Sequence, residues 1–520
     1  MGMTIEHLAK ATREAFNYLE GLPDLHEVEV FAAIDGQLLT RLNYTSHIPS
    51  NGVEEPKSGE SYGIGIQAVF KTADGLKIGF GSEPSDLSLE GVKRALHKTR
   101  QGAVRDPEFV SLPKPTGERR SLRNYHDPKL LEIRDEDLVD VGWRVVSGAL
   151  RTFINSSRLA DLAGSEEGIR KLGLILGGDV TILQERIAVA STHLPEVQTD
   201  ESTLIMSFVT AMVEAKESKG SGYAVGTRLD DFTDEAGVEA AQNAINAIDG
   251  QRVRSGEYTV IFGRQPVTDL LNNLVIPSCM AGAFYSDSTP FMGKLGHPVA
   301  SPTFSLYDQG AAPGYMGSKG ITCEGLPTGR TDLIKNGLLV GLLSNWYETQ
   351  RLLRDPRAKS KLGVDPGEAA RALTPRNGFR FSAGGGRHFS TQPGVAATNV
   401  ILEGSDPVDL EQLIRQVKNG LYIGRIWYTY PINGLRAGDF TCTVVGDSYI
   451  IKDGQIAAPL KPNTIRLNDN ILRLLKNIVG VTKEAKGTLV WAADEVVYAP
   501  EVAIQNVRVD EIAQFMDNLG

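Results

Sequence analysis

The chain has 520 residues, 41% hydrophobic, 23% charged and 7% aromatic, with 55 glycines and 25 prolines. These proportions exclude disordered, collagen-like and low-complexity classes, and a single core stops growing near roughly 250–300 residues, so two domains are expected. Its 54 basic residues against 64 acidic ones give a net charge of -10, which argues against a general nucleic-acid binder, because that affinity needs clustered Lys and Arg facing phosphates.

Thr4 can cap a first helix in which Ile5, Leu8, Ala9, Ala15, Phe16 and Leu19 share a face and which Gly21 stops. Two alternating units follow, EVEVFAAIDGQLLTRLNY around Asp35-Gly36 and GIGIQAVFKTADGLKIGFG around Asp74-Gly75. Both read as β-hairpins, because Asp-Gly supplies the positive φ angles of a type I′ turn. SDLSLEGVKRALHKT then puts Leu89, Val92, Ala95 and Leu96 on one helical face. Residues 105–135 are rich in proline and charge and read as an exposed connection. Helical pattern returns over 136–155 and in SEEGIRKLGLILG, while TILQERIAVAST and STLIMSFVTAMVEA alternate as strands. A last helix, TDEAGVEAAQNAINAI, ends at Asp249-Gly250 and places a boundary near residue 250.

The second half opens with a strand, GEYTVIFG, and a helix, PVTDLLNNLV, and then turns strand-rich. Hairpins are expected at Asn336-Gly337 and Asp453-Gly454, and a late helix at DNILRLLKNIVG presents Ile471, Leu474, Leu475 and Ile478 to a core. Residues 355–398, rich in Pro, Gly, Arg and Lys, read as a long loop. Hairpins segregated from helices favour an α+β fold over a doubly wound sheet. The expected organisation is an N-terminal α+β domain over 1–250 and a C-terminal domain of curved antiparallel β-structure with few helices over 251–520.

Three cysteines, Cys279, Cys323 and Cys442, stand far apart with no CxxC pair, which fits a reducing cytosol. No secretory signal or membrane span is legible, so a cytoplasmic protein is expected. The histidines are too scattered to form HxxxH or HExxH, and GxSxG is absent. Cys279, in the apolar VIPSCMAGAF, reads as a small buried hydrophobe, and His297 in KLGHPVASP as a surface residue. The glycine run from Ala383 to His388 lacks the spacing and lysine of a phosphate loop and reads as a loop. Asp494 and Glu495 are adjacent and would point to opposite faces of a strand. Chemistry alone gathers no catalytic constellation.

The order of segments in the second half resembles the TldD/PmbA family, the modulator-of-gyrase family of metallopeptidases. The residues that carry it are TVIFGRQPVTDLL, DSTPFMGKLGHPVASPTFSLYDQG, CEGLPTGRTDLIKNGLLVGLLSNWYETQRLL, DLEQLIRQVKNGLYIGR and LRAGDFTCTVVGDSYIIKDGQIAAPL. In the first half, YGIGIQAVFKTADGLKIGFGSEPSDLSLEGVKRAL is similar to the family's strand pair and following helix. By this resemblance the catalytic branch carries HExxxH on the helix after TVIFG, with two histidines on zinc, the glutamate as general base and a later cysteine completing the site. The corresponding positions here are Asn272, Asn273 and Pro277, and no cysteine follows Cys442. Amides are poor zinc ligands and proline has no donor side-chain atom. The pattern resembles the PmbA (TldE-like) branch, although the 105–135 stretch and the 355–398 loop depart from it.

The resemblance implies a zinc-less subunit, with no cofactor of its own, that pairs with a zinc-bearing TldD-type subunit to cleave unfolded or small peptides. A homodimer is the alternative assembly. Two other readings stand beside it: an autonomous enzyme with different chemistry in the same cavity, and a non-catalytic peptide-binding scaffold. Cys279, His297, Glu324 and Asp494 are the candidate cleft residues.

Overall fold

The computed structural model of the chain describes residues 3–48, 51–381, 386–489 and 496–512. The first half is built on a six-stranded antiparallel sheet of β1 (Leu25–Thr45), β2 (Lys57–Thr72), β3 (Gly75–Pro84), β4 (Leu174–Ser191), β5 (Gln198–Val213) and β6 (Ser218–Gly226), in the order β3-β2-β1-β4-β5-β6. Helices α1 (Ile5–Glu20), α2 (Leu89–Gln101), α3 (Asp135–Ile154) and α4 (Glu235–Asn246) complete it. Thr4 and Ser88 cap α1 and α2 with their hydroxyls, as their sequence position suggests.

Alternation along β1 decides what each sheet face meets. Val28, Val30, Ala32 and Ile34 face Leu8, Leu19, Val92 and Leu96 of α1 and α2. Phe31 and Ala33 point the other way and join Ile187 and Val189 of β4 against Ile321, Cys323, Phe379 and Phe389 of the second half. One face of the sheet is therefore covered by helices and the other by the rest of the chain.

The expected hairpin at Asp35-Gly36 is not there. β1 runs straight through it, with Asp35 paired to Ser61 on one side and Glu185 on the other. Two flanking strands satisfy the backbone on both edges, which outweighs the local turn preference of the dipeptide. Gly36 serves close approach instead, since a Cβ there would meet the Gln184 side chain at 2.5 Å. The Asp74-Gly75, Asn336-Gly337 and Asp453-Gly454 turns form as expected, with Gly75, Gly337 and Gly454 all at positive φ. The helix in SEEGIRKLGLILG covers only Glu166–Lys171; Gly173, at φ 73, ends it and the apolar remainder opens β4.

Residues 105–135 are a strap rather than an exposed connection. Leu112, Leu122 and Leu130 are buried, and Arg120 and Tyr125 bond to Asp200. Prolines keep most of the segment out of regular structure, apart from one helical turn at Pro128–Leu131 that Asp127 caps, while its apolar side chains still find the core.

In the second half a nine-stranded sheet curls around a helical layer. Its path runs Arg425–Pro431, Asp439–Gly446, Ile465–Asn470, Val502–Glu511, β7 (Gly256–Phe262), Gly420–Ile423, Tyr449–Lys452 and Gln455–Pro459, and the ninth strand, Ile478–Val481, pairs off this path with Val502–Glu511. A six-stranded sheet lies beside it, and the two share a core with Phe262, Phe284, Phe291, Phe304 and Phe440. Pairing is antiparallel except between β7 and Gly420–Ile423 and between Asn399–Gly404 and Val496–Ala499. The fold is α+β, with its curled sheet in the C-terminal part. The segment read as a long loop holds helices Ala358–Leu362 and Pro366–Ala369 and a strand pair, Gly378–Phe379 with Gly394–Val395. Its arginines bring order, because Arg380 and Arg387 are fully buried against the first-half sheet. Among the described residues no helix is long and apolar enough to cross a membrane.

Candidate functional site

After β7 the chain enters one continuous helix, α5 (264–278), which is α-helical over Arg264–Leu270, widens into a π turn over Leu271–Val275 and closes at Ile276–Ser278. The widening and Pro277 belong together, since proline brings no N–H and crowds the carbonyl four residues earlier. This helix carries the three positions at issue. Asn272 has both amide atoms buried without a hydrogen-bond partner. Asn273 donates its amide back to the Asp269 carbonyl at 2.8 Å and to Asp269 Oδ1 at 3.3 Å. Pro277 offers no donor. Burial pushes the Asp269 carboxyl up to about 6, and its Oδ2 has no partner. Burial also raises the Cys442 thiol, with the charge of Asp269 adding to the rise.

These groups do not fit a zinc ion. Zinc asks for three or four imidazole, thiolate or carboxylate donors, whereas α5 supplies amides and a single carboxylate. Among the described residues no three His, Cys, Asp or Glu side chains converge.

The other residues singled out in the sequence lie in different places. Cys279 is fully buried in the second-half core, and burial pushes its thiol up to about 12, which makes it inert near neutral pH. His297 is exposed, and its ring has no hydrogen-bond partner among the described residues. Asp494, with Glu495, lies outside the described residues. Glu324 alone reaches a cavity: it is buried and accepts from the Trp346 N–H at 3.1 Å. Burial pushes its carboxyl up to about 8, the Trp346 N–H opposing and the nearby Glu29 adding to the rise.

That cavity, of about 490 Å³, lies where the first-half sheet meets the second half, and Glu29 of β1 and Phe80 of β3 line it opposite Trp346 and Pro393. A second cavity of about 580 Å³ lies at the other end of the junction, lined by Ser221, Tyr223 and Glu239 on one side and Arg264, Tyr422 and Asp447 on the other. The edge strand Gln455–Pro459 forms part of its wall. Asp447 ties the halves together by accepting from the Ser221 hydroxyl, and burial pushes it up to about 6.

Two buried arginines span the junction. Arg380 donates from Nη2 to Glu29 at 2.6 Å and from Nη1 to the Thr391 carbonyl at 2.5 Å. Arg387 donates from Nη1 to Asp200 at 2.8 Å and from its backbone N–H to Glu185 at 2.8 Å. Lys319 also donates to Glu185, at 2.6 Å, and Arg120 and Tyr125 bond to Asp200. Burial works to raise the Glu185 carboxyl, but Lys319 and Arg387 outweigh it and bring it to about 2. Asp35, beside this network, has neither oxygen hydrogen-bonded among the described residues and is pushed up to about 8 by burial and by the Glu185 charge.

The sequence reading missed Glu29, Asp35 and Glu185, although a signal was present. Glu29 and Asp35 sit at the two ends of the β1 face that carries Phe31 and Ala33, and Glu185 precedes Ile187 and Val189 on the matching face of β4. Carboxylates on an apolar stripe mark a buried polar site. Their partners, Arg380, Arg387 and Lys319, are distant in sequence and carried no such mark.

Comparison with known proteins places this geometry in context. Residues 255–511 match the PmbA/TldA metallopeptidase C-terminal domain. A protein named metalloprotease in Synechocystis sp. is 28% identical over 236 residues, 44% of this chain and 43% of that protein. A metalloprotease of Methanothermobacter thermautotrophicus is 24% identical over 412 residues, 79% of each chain. The crystal structure of TldE from Thermococcus kodakarensis superposes with a TM-score of 0.74 at 18% identity, over 96% of this chain and 99% of that one, and so shares the fold.

Proposed function

Since the chain belongs to the PmbA/TldD family, with that family's C-terminal domain over residues 255–511, we propose that it is the zinc-less subunit of a heteromeric metallopeptidase acting on unfolded or small peptides. The observation that carries this reading is the α5 helix, which bears Asn272, Asn273 and Pro277 at the positions that the resemblance gives to the zinc motif. Asn273 is committed to its own helix and Asn272 is a neutral amide, so a metal-bound nucleophile has to come from a partner of the TldD type.

This chain would shape the chamber and hold the peptide. The Gln455–Pro459 strand ends its sheet and lines the larger cavity, its outer edge bridged by Gln251 only at the Pro459 end among the described residues, and an extended peptide can add to such an edge through main-chain hydrogen bonds. Tyr223, Tyr422 and Tyr449 supply aromatic walls there.

Native mass spectrometry of the chain purified from its own host, with metal analysis, tests the proposal. The expected result is a heteromer with about one zinc per partner subunit and none on this chain. A homo-oligomer that binds stoichiometric zinc or cleaves peptides by itself overturns it.

A further inference from the structure

The smaller junction cavity has unpartnered acceptors that neither the fold nor the proposed function uses. Glu29 is fully buried and lines it; its Oε1 is held by Arg380, whereas Oε2 has no hydrogen-bond partner among the described residues. The Ser111 hydroxyl, also more than nine-tenths buried and lining the cavity, has no partner either. Glu324 lines the same space, and among the described residues its two side-chain oxygens share a single donor, the Trp346 backbone N–H. Native interiors rarely leave such atoms unpaired without a reason, because each one costs its desolvation. Arg380, whose Nη atoms are taken by Glu29 and Thr391 and whose buried Nε has no hydrogen-bond partner among the described residues, does not line the cavity.

The complement of acceptors without donors is a group with donors and no acceptor. An ammonium has three N–H donors and no lone pair, and three residues with acceptor oxygens line this cavity. Phe80, Phe109 and Trp346, with Pro107, Pro113 and Pro393, give the cavity an aromatic and proline wall, which suits both a cation and the apolar side chain next to it. The cavity of about 490 Å³ is within the usual range for small-ligand sites. The acidic lining residues Glu29, Asp106 and Glu324 outnumber Arg105, which stands exposed at the rim.

We propose that this cavity binds a primary ammonium group of a peptide, with Glu29 Oε2, Ser111 Oγ and the Glu324 carboxylate as its acceptors. The ammonium is supplied by the peptide's N-terminus or by a lysine side chain. The proposal takes from the preceding section only that the ligand is a peptide. It needs neither zinc nor a partner subunit, so either reading can fail while the other stands. Ion-pair formation requires Glu324 to ionise, and near pH 7 its proton leaves to solvent as the ligand binds.

Isothermal titration of the full chain with Ala-Phe-Ala amide, its N-acetylated form and N-acetyl-lysine amide tests this. The free-amine peptide is expected to bind at least tenfold more tightly than the acetylated one. At pH 7, paired buffers of different ionisation enthalpy are expected to show proton release. E324Q, isosteric with the protonated side chain, abolishes that release and weakens binding about tenfold, and S111A weakens it severalfold. Preferential binding of N-acetyl-lysine amide keeps the site and assigns the ammonium to a side chain. Equal affinity for free and acetylated peptides without tighter binding of N-acetyl-lysine amide, or E324Q and S111A proteins that fold and bind as the parent does, overturns the proposal.

Discussion

Arg380 and Arg387 lie seven residues apart, are both fully buried and both face the same side of the first-half sheet, yet their surroundings differ. Arg387 meets two carboxylates, Glu185 and Asp200, which Lys319, Arg120, Tyr125 and Ser202 also satisfy. Arg380 meets one, Glu29, and leaves that carboxylate with a free oxygen at the edge of a cavity. The Arg387 network closes around its two carboxylates and holds two parts of the chain together, although Arg387 Nε and both Asp35 oxygens have no hydrogen-bond partner among the described residues; the Arg380 pair leaves its one carboxylate with an oxygen free beside a cavity. The contrast separates structural polarity from binding polarity within a single segment.

The largest expected effect comes from opening the closed network. Arg387→Ala leaves Glu185 with Lys319 and Asp200 with Arg120, two of the three cations of the parent; breaking a buried pair in this way costs about 3–5 kcal/mol, and urea denaturation of the variant should show a lower midpoint. Arg380→Met is expected to cost less, about 1–3 kcal/mol, because Glu29 is already pushed upward by burial and can take a proton once its partner is gone. Equal losses in the two variants would erase the distinction drawn between the arginines.

The pH dependence sharpens the same comparison, because the two sites have opposite signs. Glu185 is held at about 2 in the fold, so its contribution is present above the ordinary carboxylate range and is lost as pH falls from about 4.5 towards 2. Asp35 is raised to about 8; the folded chain retains a proton that the unfolded chain has released, and stability declines as pH rises from about 4 to 8. D35N removes this decline. The variant should gain on the parent at pH 8, by at most about 1.4 kcal/mol per pH unit crossed, and the gain should vanish near pH 4. Denaturation curves at pH 4, 6 and 8 read it directly.

The smallest effect concerns the cysteines. Cys279 and Cys323 are buried, and burial pushes each thiol up to about 12. Thiol reagent at neutral pH should label neither in the native chain and both after denaturation. Fast native labelling of Cys279 would return it to the list of reactive groups.

Much of the fold was legible. The α1 and α2 faces, the β2–β3 hairpin at Asp74-Gly75 and the Asp453-Gly454 turn follow from spacing and from residues that accept positive φ. Asp35-Gly36 was misread for a physical reason: a dipeptide's turn preference is local, whereas β1 gains backbone partners from both β2 and β4 along its length. The 355–398 segment was misread similarly, since glycine and arginine content says nothing of the carboxylates waiting on another sheet.

By itself, the sequence determined that the α5 positions are amides and a proline, that Cys279 is a buried hydrophobe, and that the chain is α+β. Those are matters of residue type and short-range period, and they survive any tertiary arrangement. Only the tertiary structure decided that Glu29, Glu185, Arg380 and Arg387 meet across the junction and that Glu324 shares a cavity with Glu29 and Ser111. A buried charge takes its properties from partners that can be hundreds of positions away, and the pattern around each residue carries no record of them.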